Sequence, residues 1–126
     1  MMKILLVEDN EEILESTAEL LELKGFSVQV ARNGEEGMHK ALKNPPDLVI
    51  SDIMMPKMDG YALLETLRSE PDTAMIPFIF LTAKAQKKDI LLGAVSGADR
   101  YLTKPFSMAD LEKNINEIKA CRHIKD

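Results

Sequence analysis

Cysteine is nearly absent. Cys121 is the only one in 126 residues, so no disulfide can form within the chain, no thiolate metal cluster can be assembled, and a reducing cytoplasm is the simplest setting. Long apolar runs are absent as well: the first one, Ile4 to Val7, stops at Glu8-Asp9. That is far too short for a signal-peptide core or a membrane span, which argues for a cytoplasmic protein with no membrane partner. Positive charge is in deficit, with 16 Lys and Arg against 21 Asp and Glu and a formal net charge of -5. This argues against a surface built to neutralise nucleic-acid phosphates, and a DNA-related role would need another domain. Internal repeats, low-complexity tracts and internal linkers are also missing. Residues 1–126 therefore read as a single domain, with about 121–126 as a tail or the start of a linker.

What is present alternates. Ile4-Leu5-Leu6-Val7 is a continuous apolar run that suits a strand covered on both faces. Ile13, Leu14, Thr17, Ala18 and Leu21 then recur at helical spacing, and Gly25 sits where a residue of positive φ would end the helix. Phe26 to Ala31 alternates as a less buried strand near an edge. Asn33 with Glu36 forms a capping-box pattern for a second helix, with Met38, Ala41 and Leu42 expected to face inward and Pro45-Pro46 ending it. Leu48 to Ile50 is a buried strand that delivers Asp52 to a loop, where Asp59-Gly60 reads as a turn dipeptide. Leu63, Leu64 and Leu67 mark a third helix, and Ile76 to Leu81 a fourth strand with its proline near the start. Ile90, Leu91, Ala94 and Val95 suggest a short fourth helix stopping at Gly97, followed by a short strand, Arg100 to Thr103. Ser107 with Asp110 caps a fifth helix, whose Met108, Leu111, Ile115 and Ile118 share one face.

Five strands alternating with five helices through short connections imply an α/β fold, a doubly wound parallel sheet with helices on both faces. The C-terminal ends of the strands then share one edge, where ligands bind in such sheets. That edge would carry Glu8, Asp9, Asp52, Thr82 and Lys104. Taken singly, these have ordinary roles as caps and solvated charges. Together, three carboxylates converge where like charges raise one another's pKa, and a cation is the natural remedy. With only oxygen donors on offer, a hard ion is selected, and Mg²⁺ fits best. A metal and the Lys104 ammonium beside a free carboxylate make an arrangement for holding a phosphoryl group on that carboxylate.

Glu8-Asp9, the stretch Ser51-Asp52-Ile53-Met54-Met55-Pro56-Lys57-Met58-Asp59-Gly60, Thr82-Ala83 and Tyr101-Leu102-Thr103-Lys104-Pro105-Phe106 resemble, in order and spacing, the receiver domain of two-component response regulators, the CheY-like superfamily. The resemblance covers essentially the whole chain. It implies a flavodoxin-like fold of strand order 2-1-3-4-5 and a phosphorylation-dependent switch rather than an enzyme with a separate substrate. Asp52 would be the phosphoacceptor, taking its phosphoryl group from a phosphohistidine on a sensor histidine kinase or a histidine phosphotransfer protein. Asp9, Asp52 and the backbone carbonyl of Met54 would bind Mg²⁺, with Glu8 acting largely through a bound water. Lys104 would pair with the phosphoryl oxygens, Thr82 would hydrogen-bond to them, the small Ala83 would leave the site open, and Tyr101 would rotate inward. The Lys104-Pro105 bond would be cis. The face of the fourth helix, fifth strand and fifth helix would then control an effector protein or a fused output domain. Arg100 departs from the pair of acids that precedes the aromatic in DNA-binding members, and Met54 and Lys84 are positions that bear on the lifetime of the phosphorylated form.

Two other classes compete. An Asp-nucleophile, Mg²⁺-dependent phosphatase would carry a second Asp two residues after the nucleophile, on the first strand; here Met54 holds that position and Asp52 lies on the third strand. A receiver-like binding module independent of phosphorylation is the other. Flavin binding lacks support, because no Ser/Thr/Gly-rich loop follows Val7.

Overall fold

The computed structural model describes residues 1–82 and 97–122. Strands β1 (Lys3–Val7), β2 (Ser27–Ala31), β3 (Leu48–Asp52), β4 (Phe78–Thr82) and β5 (Arg100–Thr103) are joined by helices α1 (Glu11–Leu23), α2 (Gly34–Lys43) and α3 (Gly60–Ser69), and helix α4 (Met108–Cys121) follows β5. Helix α4 is the fifth helix of the sequence pattern. The helix expected around Ile90, Leu91, Ala94 and Val95 lies outside the described residues.

The five strands are all parallel, in the order β2-β1-β3-β4-β5. Because successive side chains point to opposite faces of a sheet, each apolar run feeds two layers. Ile4, Leu6, Leu48, Ile50, Ile79 and Leu81 pack with Leu14, Ala18 and Leu21 of α1 and with Leu111, Ile115 and Ile118 of α4. Leu5, Val7, Val49, Phe78 and Phe80 face the other way, against Ala41 of α2 and Leu63, Leu64 and Leu67 of α3. Burying one such side chain contributes about 1.5–3 kcal/mol, which is why runs without polar alternation are tolerated here and nowhere at the surface. Strand β2, at the edge, is only partly covered at Val28, Gln29 and Val30.

The helix starts follow from side-chain acceptors that satisfy otherwise unpaired amides. Asn10 accepts from the Ile13 N–H at 3.1 Å, Asn33 from Glu36 at 2.8 Å and Ser107 from Asp110 at 3.0 Å. Asp59 does the same for α3, accepting from the Ala62 N–H at 2.8 Å. Asp59-Gly60 is therefore a helix start rather than a free-standing turn; an Asp side chain bonds local amides in either setting, so the dipeptide alone does not discriminate. Gly25 has φ +96° just beyond α1.

Leu42, expected to face inward, does not, and Ile13, one of the residues at helical spacing in α1, also reaches the surface. Ile13 and Leu42 are each 37 % exposed. On α2 the buried contacts are made by Gly34, Gly37 and Ala41. Gly37 lets the helix approach Val7 of β1 closely and Gly34 abuts the Met58 carbonyl, and the longer Leu42 is left at the rim.

Register decides what reaches the C-terminal edge. Val7 lies opposite Ser51, Asp52 opposite Leu81 and Thr82 opposite Thr103. The residues that follow β1 and β5, and those that end β3 and β4, thus emerge side by side.

Candidate functional site

Lys104 stands at the centre of this edge. Its Nζ donates to Glu8 Oε1 at 2.6 Å and to Asp52 Oδ2 at 3.0 Å, linking the ends of three strands. The Lys104 N–H donates to the Thr82 carbonyl at 2.8 Å, continuing the sheet ladder just past β4, and the Lys104-Pro105 peptide is cis.

Glu8 is 2 % exposed, and its second oxygen accepts from the Asn10 N–H at 3.2 Å. Asp52 is half-buried and its Oδ1 accepts from the Ile53 N–H at 2.7 Å. Asp9 is exposed at the mouth. Glu8, Asp9 and Asp52 each offer one carboxylate oxygen, and these lie within 4.8 Å of one another. Three hard oxygen donors at that separation suit a hard divalent cation such as Mg²⁺.

The electrostatics follow from this crowding. Burial raises the Glu8 carboxyl above its ordinary value of 4.5; hydrogen bonds from Lys104 and the Asn10 amide oppose the rise, and the Asp52 charge adds to it. Burial pushes Lys104 down, but its bonds to Glu8 and Asp52 outweigh that and leave it raised above 10.5. A carboxyl with a raised pKa in the fold holds its proton more tightly there than in the unfolded chain. Its contribution is therefore fully present below pH 4.5 and is lost as the pH rises through the elevated Glu8 value. In the metal-free protein, Glu8→Gln is accordingly expected to gain stability relative to wild type as the pH rises from 4.5 toward neutrality. Paired thermal melts across that range check this; a gap that stays constant, or runs the other way, contradicts the assigned direction.

The loop after β3 is shaped for close approach. A Cβ on Gly60 would lie 2.4 Å from the Asp52 carbonyl oxygen, and the Gly60 N–H donates to the Ile53 carbonyl at 2.8 Å. Only glycine allows α3 to start this near the acid. Between them the chain makes a tight turn, with Met58 N–H donating to the Pro56 carbonyl at 2.8 Å and Lys57 at φ +67°. Strain of this kind persists where surrounding structure enforces it. The Met58 carbonyl in turn accepts from the Gly34 N–H at 3.1 Å, tying the loop to the start of α2. Met54 is 59 % exposed at the rim.

The structure thus gathers Glu8, Asp9, Asp52 and Lys104, with Thr82 buried at the end of β4 and Tyr101 half-buried on β5. Ala83 and Lys84 lie outside the described residues. One participant was not legible in the sequence: the hydroxyl of Tyr61, in the first turn of α3, is 2.6 Å from that of Tyr101. No local pattern marks a pair 40 residues apart, and only the packing of α3 beside β4 and β5 reveals it.

Comparison with known proteins adds four likenesses. A family model described as the response regulator receiver domain matches residues 4–116. The transcriptional regulatory protein RprY of Bacteroides fragilis is 47 % identical over 117 residues, which is 93 % of this chain and 49 % of RprY. The chain spans about half the length of the curated relatives it matches. Among solved structures, chemotaxis protein CheY4 of Vibrio cholerae superposes with a TM-score of 0.89 at 31 % identity, covering 93 % of this chain and 98 % of that one. The receiver domain of the sensor histidine kinase PA1611 from Pseudomonas aeruginosa, described with a magnesium ion coordinated in its active-site cleft, gives 0.86 at 29 % identity, with 92 % and 95 % covered.

Proposed function

Because this chain belongs to the response regulator receiver domain family, we propose that it is switched by a phosphoryl group accepted on Asp52. The observation that carries this is the Lys104 ammonium held between Glu8 and Asp52, with the Asp9 carboxylate at the mouth. An Asp52 oxygen attacks the phosphorus of a phosphohistidine on a histidine kinase or phosphotransfer protein. The O–P bond forms, the P–N bond breaks, its electron pair returns to the imidazole, and an acyl phosphate remains on Asp52.

Asp9, Asp52 and the Met54 carbonyl would hold Mg²⁺, with Glu8 acting through a bound water. When bound, the ion supplies positive charge to the phosphoryl oxygens. Lys104 supplies a second cation and fixes Asp52 by donating to it. Thr82 donates its hydroxyl to the phosphoryl group, and Tyr101 turns inward behind it. The domain assists its own phosphorylation and dephosphorylation without turning over a separate substrate. Strand β5 with α4 forms the face that reports the change to an effector or a fused output domain. We take residues 1–126 as one receiver domain working in the cytoplasm, with about 121–126 as a tail or the start of a linker. No helix among the described residues is long and apolar enough to cross a membrane.

Incubation with a small acyl phosphate is expected to place one base-labile phosphoryl group on each chain in the presence of Mg²⁺ and none when the metal is chelated. Labelling that ignores chelation would contradict the reading. Met54, exposed beside Asp52 and without a polar group, cannot orient an attacking water. Met54→Asn is therefore expected to shorten the lifetime of the labelled protein several-fold, by about one hydrogen bond's worth of barrier; unchanged or slower decay counts against this role.

A further inference from the structure

The two tyrosines of the chain are Tyr61 and Tyr101, and it contains no tryptophan. Their hydroxyls are 2.6 Å apart, and both side chains are half-buried. Each ring also meets the fully buried Phe80 edge-on, with centroid separations of 5.2 Å for Tyr61 and 5.5 Å for Tyr101. Phe80 is itself braced by Phe78 at 4.9 Å. Both ends of this bridge are rooted beside the acidic cluster. Tyr61 directly follows Gly60, whose N–H is bonded to the Ile53 carbonyl next to Asp52. Tyr101 lies opposite Phe80 in the sheet register and three residues before Lys104, the strand pairing with β4 fixing its height.

We propose that Tyr61 is a positioning residue for Tyr101: through the hydroxyl pair it holds the Tyr101 ring inward against Phe80 before any phosphoryl group arrives. The domain then carries part of its switched packing in advance, and phosphorylation completes it. This rests on the reading above in which Tyr101 turns inward as Asp52 is phosphorylated. A hydrogen bond between two half-buried hydroxyls shifts such an equilibrium by about three- to tenfold. The benefit is a receiver that needs less from Thr82 to complete the change.

Tyr61→Phe keeps the ring contact with Phe80 and removes only the hydroxyl, so the fold is expected to persist, as circular dichroism checks. With Tyr61 replaced, every tyrosine ring signal in an NMR spectrum belongs to Tyr101. In the phosphate-free variant these signals are expected to move toward unfolded-chain positions relative to wild type. The midpoint of a beryllofluoride titration at saturating Mg²⁺ is expected to rise about three- to tenfold, while the midpoint for Mg²⁺ alone stays unchanged. Unmoved Tyr101 signals, or a beryllofluoride midpoint that is equal or lower, overturn the proposal. If wild-type Tyr101 signals fail to respond to beryllofluoride, the switch reading itself falls. The phosphate-free comparison needs no phosphoryl analogue and still decides whether Tyr61 holds Tyr101.

Discussion

Asp52→Asn is expected to abolish Mg²⁺-dependent acyl phosphate formation while leaving the fold intact. The substitution is nearly isosteric, and the half-buried side chain keeps an oxygen able to accept from the Ile53 N–H, as Asp52 does at 2.7 Å. What disappears is the anionic nucleophile, since an amide oxygen carries neither the charge nor the basicity to displace an imidazole from phosphorus. Mass measurement of the intact protein after exposure to a small acyl phosphate and Mg²⁺ reads the result directly. A label persisting at wild-type stoichiometry would place the acceptor elsewhere and remove the centre of the proposed function. A label at trace level, lost when Asp9 is also changed, would be consistent with Asp52 as the main acceptor.

Lys104→Met is expected to act on both stability and chemistry. The ammonium pairs with two carboxylates at 2.6 and 3.0 Å, one of them on Glu8, whose side chain is 3 % exposed. Removing one partner of a buried pair leaves an uncompensated charge, a loss of about 3 kcal/mol in the metal-free protein at neutral pH. Lys104 is raised above 10.5, so its stabilising contribution is complete below 10.5 and lost only as the pH rises through its elevated value. The deficit of the variant is therefore full at neutral pH. It should shrink as the pH falls through the raised Glu8 value, where Glu8 becomes neutral by taking a proton. Added Mg²⁺ should recover part of it by supplying the missing positive charge. Phosphoryl labelling should slow about 100-fold, the scale of losing one charged donor to the transition state. Denaturation at several pH values, with and without Mg²⁺, checks the first part, and labelling rates check the second. A deficit independent of both pH and metal would mean that Lys104 contributes packing rather than charge.

Much of the site was legible because its residues occupy the same structural position in four different strands. Glu8, Asp52, Thr82 and Lys104 end or follow apolar runs, and parallel pairing necessarily carries such positions to one edge. The caps Asn33 and Ser107 were legible for a related reason, since a cap is satisfied within three residues of itself. Asp59 was not, because the same side chain serves a turn or a helix start. Ile13 and Leu42 mislead because helical spacing identifies a face without stating how wide the contact is. Tyr61 escaped altogether: its partner is distant in sequence, and an aromatic beside a glycine has no distinctive spacing.

By itself the sequence determined the alternation of strands and helices, the parallel sheet and the acids and lysine on its C-terminal edge. Those features depend on local periodicity and on chain direction, both of which are written residue by residue. Tertiary structure decided the rest. It set the depth at which Glu8 is buried, the division of Lys104 between two carboxylates, the approach of Gly60 to the Asp52 backbone and the pairing of Tyr61 with Tyr101. Each of these is a distance between segments remote in sequence, and such distances exist only once both faces of the sheet have been packed.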